Sequence, residues 1–227
     1  MTTGEDGWRR RLELIAAHSS AVCTLHEGAT PAEISQLEHH LGSEVFELEP
    51  TLGEFLRFSN GMEIGGYRIY KASDRGIDTI EFRTVFAWEL NPQWEHRMYL
   101  FMGVAELLLD VAVVSAVLGQ PCIGAIIDSG YEQNEVVPLV SSLDVFLGSF
   151  LAGCQEALAR DARWNGKLSQ LSTWPPDCSW WYARDLELAK RLAAAGLERL
   201  RPETGRYAEY IFHSATAVLD DRSRDDP

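Results

Sequence analysis

Cysteine is scarce in this chain of 227 residues: Cys23, Cys122, Cys154 and Cys178 stand far apart and form no CxxC pair. With no export signal on the chain, the four read most simply as reduced, buried small hydrophobes. The stretch Cys23-Thr24-Leu25-His26 offers one thiol and one imidazole at metal-ligand spacing, but no second pair joins them. Long apolar runs are missing as well. The most apolar stretch, Val104 to Ile127, is interrupted by Glu106, Asp110, Gly119 and Pro121, so it reads as buried strands rather than a bilayer span. The opening MTTGEDGWRRR carries acids and no apolar h-region, and the expectation is a cytoplasmic chain without a secretory signal.

Catalytic signatures are absent too. The sequence has no GxSxG, no HExxH, no phosphate-loop glycine-lysine pattern and no dinucleotide fingerprint. None of its 34 acids sits in a recognisable paired-carboxylate motif. His39 and His40 are neighbours on a predicted helix, where successive side chains point about 100° apart and chelate one ion poorly. The reading is therefore a non-enzymatic protein with no catalytic, cofactor or metal residues.

What is present is negative charge, unevenly spread. The formal net charge is −14. Residues 1–155 hold 22 acids against 9 bases, while residues 156–227 hold 12 against 11. From Met98 through Ala159 there is no lysine or arginine at all, although Glu106, Asp110, Asp128, Glu132, Glu135, Asp144 and Glu156 fall there. Such a balance repels nucleic acid and attracts basic protein surfaces. The plain alternative is that it only aids solubility.

Periodicity divides the chain into helices, then strands, then helices. Residues 8–27 have loosely helical spacing, and Thr30-Pro31-Ala32-Glu33 is a capping box ahead of Ile34, Leu37 and Leu41, stopped at Gly42. Thr51-Leu52-Gly53-Glu54 opens a shorter helix that Asn60-Gly61 stops. Beyond Gly65-Gly66, Tyr67 and Ile69 alternate with Arg68 and Tyr70 as a strand. Residues 79–88 also read as a strand, with Ile80, Phe82, Phe86 and Trp88 on one face. Further strands are predicted near 97–104, 109–116 and 121–127, and a helix from Ser141. In the tail, STWPPDCSWW reads as a proline-broken aromatic loop between helices, Trp174, Trp180 and Trp181 marking where the tail docks or a partner binds. Residues 184–201 and 207–218 read as helices, and DDRSRDDP as a frayed end.

The fold class is thus α+β: an antiparallel sheet of about five or six strands packed against N-terminal and C-terminal helices, with an extra helical tail. Its segments are an N-terminal helix (1–27), an α+β unit (28–155) and a helical C-terminal extension (156–227).

The succession TPAEISQLEHHLG, LGEFLRFSNG, GYRIY and VVPLVSSLDVFLGSFL resembles the SUKH superfamily, which includes Smi and Knr type cell-wall regulators and bacterial immunity proteins. The likeness rests on Ile34, Glu38, Leu41, Gly42, Phe55, Leu56, Asn60, Gly61, Gly66, Ile69, Tyr70, Ser142, Phe146 and Leu147, over residues 28–155. It implies a protein that binds another, neutralising a cognate toxin, often a nuclease, by covering its basic site with an acidic face. The other reading is a cytoplasmic regulatory module that binds a protein through its helical tail. Candidate partner-binding residues are the loop acids Glu44, Glu47, Glu49, Glu63, Asp74, Asp78, Asp128, Glu132 and Glu135, with Tyr67 and Tyr131 as aromatic anchors. Taken singly, each acid reads more readily as an ordinary solvated side chain, and the set is a stronger candidate than any member.

Overall fold

The computed structural model describes residues 7–18, 22–41, 48–73, 76–104, 109–128, 134–164, 166–173 and 175–225. It is an α+β fold built on one antiparallel sheet of seven strands joined in sequence order, β1 to β7. No described helix is long and apolar enough to cross a membrane.

Helix α1 (Gly7–His18) buries Trp8, Leu12 and Ile15, and ends short of the predicted residue 27. Cys23–Leu25 instead forms β1, paired with β2 (Met62–Ile64) through Cys23↔Ile64 and Leu25↔Met62. Helix α2 (Pro31–His40) has both halves of its capping box, between Thr30 and Glu33. Helix α3 (Pro50–Phe58) is capped not by Thr51 but by Glu49, whose carboxylate accepts from the Leu52 N–H at 3.0 Å, with Pro50 at the first helical position.

The two glycine pairs have different tasks. Gly61 (φ 88) turns the chain out of α3 into β2, while Asn60 Oδ1 accepts from the Ala72 N–H at 2.8 Å. Gly65 (φ 57) and Gly66 form the tight link between β2 and β3 (Tyr67–Ile69), where Ile64 pairs with Tyr67.

Residues predicted as a strand at 79–88 form helix α4 (Ile80–Leu90). The Thr79 hydroxyl caps it, accepting from the Phe82 N–H at 3.1 Å. The core of the sheet follows: β4 (Met98–Val104), β5 (Leu109–Val117), β6 (Gln120–Asp128) and β7 (Asn134–Val140). Every side chain of β4 is buried, so both faces of the sheet are covered there.

Helix α5 (Leu143–Arg160), capped by Ser142, packs its aromatic stripe on the sheet. Phe146 meets Phe101 edge-on at 5.6 Å and stacks on Trp181 at 5.2 Å. Trp181 belongs to α7 (Cys178–Tyr182), a turn of helix inside the predicted proline loop that follows α6 (Ser169–Ser172). Next come α8 (Leu186–Thr204), broken at Gly196 (φ 69), and α9 (Ala208–Asp225), which stays helical through most of the segment predicted to fray. The tail is not an appendage in its packing. Trp181, Tyr182, Leu188, Leu192, Leu200 and Ile211 share one hydrophobic cluster with the sheet. The Tyr182 hydroxyl donates to the Pro138 carbonyl of edge strand β7 at 2.9 Å. On the far side, the Tyr67 hydroxyl donates to the Leu168 carbonyl at 3.0 Å, and Gly66 N–H donates to the Gly166 carbonyl at 3.3 Å. Gly166 fits so closely over the β2–β3 turn that a Cβ there would lie 1.9 Å from Gly65 Cα.

Candidate interaction surface

The strand pairing of β2 with β3 sets Glu63 opposite Arg68 on the solvent side. Arg68 bonds Glu63 at 2.9 Å and also bonds Asp78. Arg83, from α4, reaches the other Asp78 oxygen at 3.2 Å while its guanidinium lies 5.2 Å from the Tyr70 ring centre. The Tyr70 hydroxyl donates to Asp110 at 2.6 Å, across Gly103, where a Cβ would lie 2.1 Å from that hydroxyl oxygen. Together these groups line an open cleft of about 290 Å³.

The cleft's titrations are pushed away from neutrality. Burial drives the Asp78 carboxyl up, but hydrogen bonds and charge from Arg83 and Arg68 outweigh it and hold Asp78 below the ordinary carboxylate range. Burial, reinforced by the Asp110 charge, pushes the Tyr70 phenol up. A proton shuttle works best with a group poised near the working pH, and neither of these is. Burial likewise raises the thiols of Cys23 to about 11 and of Cys122 and Cys178 to about 12, which makes them inert hydrophobes. Among the described residues no three His, Cys, Asp or Glu side chains could hold one metal ion.

Of the predicted partner-binding set, the fold brings Glu63 and Asp78 together on Arg68. Glu49 sits apart as the α3 cap, with its backbone N–H donating to the Tyr99 hydroxyl at 2.9 Å. Glu135 lies on β7, its carboxylate 2.8 Å from Arg206 and only 13% exposed. Tyr67 is a correction: its ring is 1% exposed and its hydroxyl bonds Leu168, so it holds the tail rather than offering a surface anchor. Glu44, Glu47, Asp74, Tyr131 and Glu132 lie outside the described residues, and of Asp128 only the backbone, at the end of β6, is described.

The lysine- and arginine-free run also reads differently in space. It supplies β4 to β7 and most of α5, and the cations that answer its acids come from other turns and elements. Arg206 pairs with Glu135, while Arg160 and Arg184 both approach Glu156, at 3.7 and 3.8 Å. Segregation along the sequence does not make an unpaired acidic sheet face among the described residues.

Helix α4 carries what the sequence reading missed. Strand β3 ends at Ile69, opposite Met102, so among the described residues no strand pairs with Met98 to Leu100 of β4 on that side. Helix α4 fills the gap with polar atoms. Thr84 Oγ1 accepts from the Leu100 N–H at 2.9 Å, and Trp88 Nε1 donates to the Met98 carbonyl at 2.9 Å. Ile80, Thr84 and Ala87 therefore face inward. The opposite side is left apolar and in water, with Phe82 46%, Val85 38%, Phe86 49% and Leu90 55% exposed. Phe82 and Phe86 lie parallel, ring centres 6.2 Å apart. Thr79, Glu81, Phe82, Val85, Phe86 and Glu89 line a shallow groove of about 320 Å³. The usable signal was the spacing of Phe82, Val85, Phe86 and Leu90 at i, i+3, i+4 and i+8 behind a threonine cap.

No protein-family model matches the chain, and no curated protein matches it.

Proposed function

We propose that the protein acts by binding another protein, as an immunity-type inhibitor that neutralises a toxin with a basic surface. The observation that carries binding is the α4 ridge: four large apolar side chains held in water by a helix whose inner face is engaged with β4. The net charge of −14 and the resemblance to the SUKH superfamily support the choice of a basic target such as a nuclease. Binding through the tail is less well supported, because Leu188, Leu192, Leu200 and Ile211 have their apolar surface in the core.

The test is co-expression with each protein encoded beside this one, scored by growth and by co-purification. Rescue of growth together with a complex that weakens with salt is expected. If no neighbouring product is bound or neutralised, the inhibitor reading is wrong. Removing residues 156–227 is not a useful control, since it would strip Trp181 and Tyr182 from the core.

A further inference from the structure

Resting on the binding function above, we infer that the α4 groove receives a basic amphipathic helix, its apolar stripe on Phe82, Val85 and Phe86 and its cations on Glu81 and Glu89. Among the described residues the groove lining contains these two carboxylates and no lysine or arginine. The cation on α4 itself, Arg83, is held by Asp78 and Tyr70 on the other side of the helix and does not neutralise this rim. Glu81 also meets His40 of α2 at 3.1 Å, which holds it at one end of the groove, with 44% of its side chain exposed.

The spacing selects the occupant. Glu81 and Glu89 are eight residues apart on one helix, a separation of about 12 Å at 1.5 Å per residue. Two turns of a docked helix cover about 11 Å, so lysines or arginines seven or eight positions apart reach both acids while the residues between them meet the phenylalanines. A second copy of this chain fits poorly. A two-fold antiparallel pairing of α4 centred on Val85, the middle of the ridge, sets the Glu81 and Glu89 carboxylates of one chain against those of the other, and each copy carries a net charge of −14.

The probe is a labelled synthetic helix of about 18 residues with leucine on one face and lysine on the other, titrated by fluorescence anisotropy at low and physiological salt. A second peptide with glutamate in place of each lysine is the control. The lysine peptide is expected to bind and the glutamate peptide not. F82S/F86S lowers affinity by at least about 10-fold, and V85S, a smaller change, lowers it in the same direction. E81Q/E89Q lowers it by about 3- to 10-fold and flattens the salt dependence. E54Q/E187Q, which removes the same charge from α3 and α8, leaves binding unchanged.

Equal losses in E81Q/E89Q and E54Q/E187Q mean that the acidic chain attracts the peptide without a site, and overturn the inference. So does equal binding of the glutamate peptide, or a dimer in sedimentation that F82S/F86S dissolves. A toxin complex that forms normally with all the α4 variants also overturns the inference and leaves the binding function standing.

Discussion

Helices α4 and α8 each carry enough apolar side chains to build a core-facing stripe, yet only α8 uses them that way. Leu188, Ala189, Leu192 and Leu200 of α8 are buried. On α4 the buried positions are Ile80, Thr84 and Ala87, while the phenylalanines face water. The difference lies in what each helix meets. Strand β4 offers α4 a stretch of backbone with no strand partner on that side among the described residues, which the Thr84 hydroxyl and the Trp88 indole N–H satisfy. The tail meets β7 through the Tyr182 hydroxyl on the Pro138 carbonyl and through Arg206 on Glu135, contacts that α8 does not supply, and the α8 leucines pack into the core. A helix's orientation is therefore set by the polar demands of its neighbour as much as by its own hydrophobicity.

The sharpest way to break this comparison is to truncate one side chain from each stripe. Leu192→Ala should cost about 2–5 kcal/mol in chemical denaturation, whereas Phe86→Ser should change stability by no more than about 0.5 kcal/mol. Comparable losses would show that α4's outer face is packed in solution. Thr84→Val tests the inner face: it keeps the shape, removes the acceptor for the Leu100 N–H and should cost about 1–3 kcal/mol. Thermal melts that leave it as stable as the parent would remove the reason given for α4's orientation.

Two smaller effects depend on pH. Burial raises the Glu49 carboxyl, outweighing the hydrogen bonds it accepts at the α3 cap. The folded state thus holds this proton more tightly than the unfolded one, and the resulting cost is absent in acid and grows as pH rises through the carboxylate range. Glu49→Gln, which keeps an acceptor for Leu52, should be more stable than the parent at neutral pH and equal to it in acid. A gap that widens in acid would reverse the sign. Asp78 runs the other way, its depressed titration adding stability at neutral pH that fades as pH falls. Because the pair is largely exposed, Arg68→Gln should cost only about 0–1 kcal/mol at neutral pH and less in acid.

Local chemistry was what the sequence made legible. The Thr30 cap, the stop at Asn60-Gly61 and the strands β4, β5 and β6 were all readable, because capping and alternation involve residues close in the chain. Strands β1, β2 and β7 were not: β1 and β2 are three residues each without the flanking alternation that Tyr70 adds to β3, and Val136-Val137-Pro138-Leu139 in β7 does not alternate. Helix α4 was misread because apolar residues surround it on nearly every side, and alternation over Ile80, Phe82, Phe86 and Trp88 fits a strand as well as a helix. The surroundings of the candidate acids were hidden for a different reason. Glu135 finds its arginine 71 positions away, a pairing that no local pattern announces.

Gly166 and Leu168 close over the β2–β3 turn from more than a hundred residues downstream. A ribosome makes that turn long before it makes its cover. Throughout most of elongation the nascent hairpin lacks the carbonyl and the N–H that Tyr67 will later bond. The final shape of the sheet's first corner is thus a late event, reached only when the last third of the polypeptide arrives.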